Sequence, residues 1–380
     1  MIPLNQNLNT LKRSSIRRYT NLAREVEDCA MLTIGEPDLD TPENIKAAAI
    51  AAITGNQTHY APNQGTIALR QAVADYETAR GNATKPENVL ITIGACHALF
   101  TALLGILNPG EEVIVPTPGF LLYDSIATVA GAKTVPLDIS KTGFQITKEA
   151  LSACITEKTK AIIINSPCNP TGTVFSRESL ENVKQAILGK PVFLIVDNVY
   201  NQLSFTDCPD LSLDDALKEQ TILCQSFSKP WAMTGWRVGY LTCPDYVMDR
   251  LLLLSAAEIT AVPTFIQAAA VEALKTDPSP MREIYRQRRD YVCQRLDKMG
   301  LTYPQPEGAF YVFVDISRFG MTSEDFCTRL IREGKLAVVP GSCFGTEGFI
   351  RMSYCYSDAE LQRGLDRLEA FISTLEGGKT

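Results

Sequence analysis

A chain of 380 residues is long enough for two domains, or one large one, with a full core. With 45% hydrophobic and 21% charged residues, disordered and collagen-like classes are excluded. The net charge of −7 argues against nucleic acid as a partner, which needs a clustered positive face, and no apolar run nears the roughly 18 residues of a membrane span.

The chain starts with Lys12, Arg13, Arg17 and Arg18 and no acid before Glu25. Transit peptides share that pattern with N-terminal arms packed on a fold; an arm is the expectation here. Thr41-Pro42 predicts the start of an alanine-rich helix ending at Gly55, with proline in its first turn. A second helix is expected over 67–80, stopping at Gly81. Residues 89–93 are a β-branched run, followed by Gly94 and a helix to about 107. Further apolar runs at 112–116, 134–138, 160–165 and 192–197 alternate with helical patterns near 121–130, 147–154 and 176–188. The run at 221–225 reads as a buried strand end. Such alternation predicts βαβ units and an α/β fold, with a mainly parallel sheet covered by helices and ligands at the carboxyl ends of its strands. A long helical stretch over 246–274 and an arginine-rich helix over 281–299 lead away from it. Strands at 310–316, 336–339 and 349–354, with helices at 323–332 and 359–375, then form a smaller α+β domain. The expected division is 1–45 as arm and part of the small domain, 46–279 as the large domain and 280–380 as the small C-terminal domain. Eleven cysteines, an odd number without a C-x-x-C pair, predict reduced thiols, a cytoplasmic location and no metal site.

Several stretches carry chemistry. Lys229 stands at the mouth of a strand between Ser226, Ser228 and, further on, Arg237. A lysine there suits a cofactor bearing both a carbonyl and a phosphate. Desolvation lowers the amine's pKa so that it can condense with the carbonyl, while guanidinium and hydroxyls hold phosphate oxygens. Asp197 ends a buried strand, where an unpaired carboxylate is costly. The site must therefore supply a cation or several donors, such as a protonated pyridine nitrogen; a helix N-cap is the competing reading. Gly94, Ala95 and Cys96 occupy a strand-to-helix turn, whose backbone N–H groups can bind an anion. The loop Asn165-Ser166-Pro167-Cys168-Asn169-Pro170-Thr171-Gly172 reads as a polar turn, or as a rigid loop aiming Asn169 at a phenolic oxygen and a carboxylate. Nucleotide-binding glycine motifs are absent from the sequence.

Together these stretches resemble the fold-type I pyridoxal-phosphate-dependent aminotransferases of class I/II, over nearly the whole chain. Residues 226–240 look like the family's lysine signature, 165–172 like its N-P-x-N-P-T-G loop, and Asp197-Asn198-Val199-Tyr200 like its aspartate–tyrosine motif. Ile34-Gly35-Glu36-Pro37-Asp38, Pro116-Thr117-Pro118-Gly119-Phe120, Gly308-Ala309-Phe310-Tyr311, Pro340-Gly341-Ser342 and Ile350-Arg351-Met352-Ser353 are similar to further signatures. The resemblance implies pyridoxal 5'-phosphate held by Lys229, which doubles as the base. It implies that Asp197 keeps the ring nitrogen protonated, that Tyr200 and Asn169 bind the ring oxygen, and that Phe120 stacks on the ring. Phosphate ligands would be Gly94, Ala95, Cys96, Ser226, Ser228, Arg237 and the partner subunit's Tyr60, in a homodimer with shared active sites. Substrate would meet Gly35, Asn169 and Arg351, the last as a fork on the α-carboxylate.

The pattern is closest to enzymes transferring amino groups from aspartate, aromatic amino acids or diaminopimelate-type substrates to a 2-oxo acid such as 2-oxoglutarate. The side-chain pocket would lie near Ile16, Arg17 and the partner subunit's Thr260, without a decisive second arginine for a dicarboxylate. Two departures stand out. Asn198 replaces the usual glutamate, and His97 sits beside the phosphate turn as either a helix-face residue or a group that tunes the ring. Cys96, Cys168 and Cys343 fall within site motifs, so thiol oxidation is an expected route to inhibition. The alternatives are a carbon–sulfur β-lyase on the same fold, which Tyr200 disfavours, and a non-catalytic cofactor-binding regulator.

Overall fold

The computed structural model describes residues 2, 5–11 and 15–377. Short runs rich in Val, Ile and Leu form its main sheet. These are β2 (Val89–Thr92), β3 (Glu112–Thr117), β4 (Lys133–Asp138), β5 (Thr159–Asn165), β6 (Phe193–Asp197), β7 (Thr221–Ser226) and β8 (Gly239–Thr242), preceded in the chain by a two-residue β1 (Ala30–Met31). The seven strands run in the order β2-β8-β7-β6-β5-β3-β4. β3 to β7 pair in parallel, as the alternating pattern predicts, and β8 runs antiparallel to both β2 and β7. Every residue of β2, β7 and β8 is buried, which is why β2 and β7 read as runs rather than as alternation; β8 was not expected from the sequence.

Register sets up the site. Asn165 lies opposite Asp197, and Asp197 opposite Cys224, so the carboxyl ends of β5, β6 and β7 stand side by side. The helix Gly94–Ile106 starts at the same edge, directly after β2.

A second, three-stranded antiparallel sheet follows from β9 (Tyr311–Asp315), β11 (Val339–Pro340) and β12 (Phe349–Ser353), with β12 in the middle. Between β9 and β11 the chain forms β10 (Leu336–Ala337), which pairs in parallel with β1. The amino-terminal segment is thereby tied to the carboxyl-terminal region. Of the basic start, Lys12 and Arg13 lie outside the described residues. Arg17 and Arg18 are on the helix Ser15–Arg24, whose Tyr19 is buried and whose Arg18 pairs with Glu324 at 3.3 Å.

Three expectations need correction. The stretch 246–274 is two helices, Asp245–Ile259 and Thr264–Ala273, broken at Thr260 (φ +61°) and Pro263. A proline lacks the N–H the helix needs and pushes the preceding residue out of the helical region. The run 336–339 is not one strand, because β10 and β11 belong to different sheets. Pro42 stands at the cap of the helix Glu43–Thr54 rather than inside its first turn.

Candidate active site

The carboxyl ends of the strands open onto a cavity of about 240 Å³. Its lining includes Gly35, Ala95, Cys96, Phe120, Asn169, Asp197, Tyr200, Ser226, Ser228, Lys229, Arg237 and Arg351. Segments spread over more than 300 positions of sequence thus converge on one space. Gly94 touches the edge of it: a side chain there would place Cβ 2.8 Å from an Arg237 Nη atom, and its φ of +69° suits glycine. Of the predicted cofactor and substrate contacts only Tyr60 stands apart, 92% exposed; of the expected side-chain pocket, Ile16 lines the cavity and Arg17 and Thr260 do not.

Lys229 lies in the turn after β7. Its Nζ donates to the Gly35 carbonyl oxygen at 2.6 Å and rests 5.7 Å from the Phe310 ring centroid. Burial holds its pKa below the ordinary lysine value, against the opposing pull of Cys355, Cys96 and Glu36. The amine is therefore easier to deprotonate than an exposed one. Gly35 has to be glycine for steric reasons, since a Cβ would fall 1.7 Å from the Tyr311 hydroxyl.

Asp197 is 3% exposed. One carboxylate oxygen accepts from the Tyr123 hydroxyl at 2.6 Å; the other, Oδ1, is buried with no hydrogen-bond partner among the described residues. Burial raises its pKa to about 6, with the Tyr123 hydroxyl and the Val199 N–H pulling the other way. It does not act as a helix cap in this setting: the orphaned oxygen faces the need for a cation.

Arg351, central on β12, is 1% exposed. It donates through Nη1 to Asn169 Oδ1 at 2.8 Å and through Nη2 to the Thr33 carbonyl, and its guanidinium lies over Tyr311, 4.4 Å from the ring centroid. Its Nε has no partner, and among the described residues no carboxylate pairs with it. A buried guanidinium without a counter-ion is poised for a carboxylate ligand.

Around the anion turn, Ser226 Oγ donates to Ser228 Oγ at 2.9 Å and accepts from the Ser228 N–H at 3.1 Å. Arg237, itself at φ +53°, donates to the Thr234 carbonyl at 2.8 Å. Two serines, a guanidinium and a helix start form an anion cradle.

The sequence reading missed three contributors. Tyr123 binds Asp197 from a helix start 74 residues earlier, with no local motif to mark it. Tyr311 was quoted in a signature without a role, yet its hydroxyl lies 2.9 Å from that of Tyr200. Asn165 ties the loop to the sheet, donating to the Asp197 carbonyl and accepting from the Asn169 N–H, both at 2.9 Å. Of the departures, Asn198 donates to Asp210 Oδ2 at 2.6 Å, away from the cavity.

A lysine amine with lowered pKa, an anion cradle, a carboxylate oxygen lacking a partner and a guanidinium lacking an anion gather on a helix-covered, mainly parallel sheet, an arrangement suited to an enzyme that acts on small anionic molecules. The chain belongs to the family described as aminotransferase class I and II, whose model matches residues 27–368. It is 40% identical to a probable N-acetyl-LL-diaminopimelate aminotransferase of Bacillus subtilis (97% of this chain, 95% of that protein). It is 38% identical to an aspartate aminotransferase of Pyrococcus abyssi (97% and 98% covered). Its structure superposes on an aspartate aminotransferase from Thermus thermophilus, solved with maleate, with a TM-score of 0.93 and 34% identity over 97% of this chain and 100% of that one. The protein is an aminotransferase.

Proposed function

We propose that the cavity binds pyridoxal 5'-phosphate, and that a homodimer transfers amino groups between an L-amino acid and a 2-oxo acid in the cytoplasm. The supporting observation is the pair of unmatched buried groups, Asp197 Oδ1 and Arg351 Nε, on one cavity with the half-buried Lys229. The donor set fits the cofactor. Asp197 would hold its pyridinium nitrogen, Tyr200 and Asn169 its ring oxygen, and Phe120 its face. Gly94, Ala95, Cys96, Ser226, Ser228 and Arg237 would hold its phosphate. When bound, the group supplies an electrophilic carbonyl carbon and an electron-accepting ring.

The chain's own residues then do the following. Arg351 and Asn169 fix the substrate's α-carboxylate, which places Cα toward Lys229. Lys229, its pKa lowered by burial, takes the proton from Cα. The Gly35 carbonyl, 2.6 Å from Nζ, gives the released amine a fixed resting place. Tyr311 and the apolar wall at Ile16 and Phe120 limit water around the reacting carbon. Tyr60, 92% exposed, is available to a second copy, where it would reach the phosphate. The substrate side chain would lie near Ile16 and Arg17 together with the partner subunit's Thr260. Aspartate, aromatic and diaminopimelate-type amino acids are the donors to test, because relatives carry those names.

The test is incubation of purified protein with pyridoxal phosphate, borohydride reduction and peptide mass mapping, followed by an amino-acid panel with 2-oxoglutarate. Modification at Lys229 and 2-oxo acid formation are expected. Modification at another lysine, or none, would overturn the assignment.

A further inference from the structure

His97 follows the anion turn, is not among the residues lining the cavity, and joins two elements. Its Nδ1 accepts the Ile93 N–H at 3.2 Å, and its Nε2 is 2.9 Å from Glu258 Oε2, near the end of the helix Asp245–Ile259. A backbone amide only donates, so Nδ1 carries the lone pair and Nε2–H faces the carboxylate. Thr101, one turn along, donates to the same Glu258 oxygen at 2.6 Å. Both partners are largely buried, with 11% and 14% of their side chains exposed.

Ile93 immediately precedes the helix Gly94–Ile106, and its own side chain cannot cap it. A helix start leaves backbone N–H groups without intrahelical partners, and a side chain reaching back from the first turns is one way to satisfy them. His97 performs that task for Ile93. Gly94, Ala95 and Cys96 then remain as the turn presented to an anion.

We propose that His97 is a positioning residue for the phosphate turn, with Glu258 fixing its tautomer so that Nδ1 always meets the Ile93 N–H. The inference rests on the reading that this turn binds the phosphate of pyridoxal phosphate. It predicts that His97 governs recognition of the phosphate and not of the ring.

The experiment compares dissociation constants of pyridoxal phosphate and of pyridoxal, which lacks the phosphate, for wild type, His97→Leu, His97→Asn and Glu258→Gln. Asparagine carries an acceptor at the branch where histidine carries Nδ1; leucine carries none. His97→Leu is expected to weaken pyridoxal phosphate about tenfold or more, the scale of a lost buried hydrogen bond, and Glu258→Gln to weaken it by a smaller factor. His97→Asn should recover most of that loss, and pyridoxal should bind all four proteins within about twofold. Unchanged phosphate affinity in His97→Leu, no recovery in His97→Asn, or equal weakening of both ligands would overturn the proposal. Failure of wild type to bind pyridoxal phosphate would instead overturn the cofactor reading itself.

Discussion

The orphaned oxygen of Asp197 makes a quantitative prediction. Burial raises this carboxyl from 3.8 to about 6. Between those values the unfolded chain has already released a proton that the native protein retains, so rising pH favours unfolding. Above about pH 6 the penalty is complete, and at roughly 1.4 kcal/mol per pH unit it amounts to about 3 kcal/mol. Asp197→Asn keeps an acceptor for Tyr123 and removes the charge. Stripped of cofactor, the variant should therefore melt higher than wild type at pH 8. For 380 residues the advantage corresponds to roughly 4 °C, using a typical unfolding entropy per residue. It should shrink to about half at pH 5. Adding pyridoxal phosphate should reverse the order, because a cationic ring nitrogen supplies the partner that the wild-type carboxylate lacks. Turnover of the variant should fall about 10²–10⁴-fold if the loss of roughly 3–5 kcal/mol appears in the rate. Thermal unfolding at the two pH values, with and without cofactor, measures all of this. An advantage independent of pH, or equal stabilisation of both proteins by cofactor, would refute the reasoning.

Lys229→Ala should retain some cofactor yet lose transamination by at least the roughly 10²–10⁴-fold attributable to a positioned base, and single-turnover spectra would expose any residual reaction. Arg351→Lys keeps the charge but not the fork, so KM for the amino acid should rise about 10-fold or more while kcat changes less; equal losses in both would point to a misplaced reacting centre. Mixing inactive Lys229→Ala protein with Tyr60→Ala protein should generate hybrid dimers in which one site has both residues, and recovery of activity on mixing would be the sign. No recovery from proteins shown to exchange subunits would remove Tyr60 from the partner's site.

The sheet was legible because strands buried on both faces need uninterrupted apolar sequence, and β2, β5 and β6 have it. β8 escaped notice because its four residues, the first two of them inside the lysine stretch, offer no period to read. Lys229 and Asn169 were legible because each follows a strand end among proline and hydroxyl residues, and Asp197 because it ends an apolar strand in a carboxylate, all local signals. Tyr123, Thr33 and Glu258 were not. Their contacts, to Asp197, Arg351 and His97, close loops of 74, 318 and 161 residues, and nothing near them in sequence encodes the partner. Tyr60 was identifiable only by resemblance, since an exposed tyrosine carries no signal of what it will touch.

The departure at position 198 follows from the same accounting of charge. Asn198 donates to Asp210 Oδ2 at 2.6 Å, and that oxygen also receives Arg80 at 3.2 Å. Arg80 in turn serves Glu77, which is fully buried and also takes the Tyr240 hydroxyl. Two carboxylates thus share a single guanidinium, and the Asn198 amide joins Ser212 and Asn82 as neutral donors to them. A glutamate in place of Asn198 would bring a third carboxylate against Asp210, in a region where unpaired negative charge is costly. Asparagine therefore adds a neutral donor to this network and no charge beside Asp197. At the end of β6, Asp197 keeps Tyr123 on one oxygen and leaves Oδ1 without a partner among the described residues.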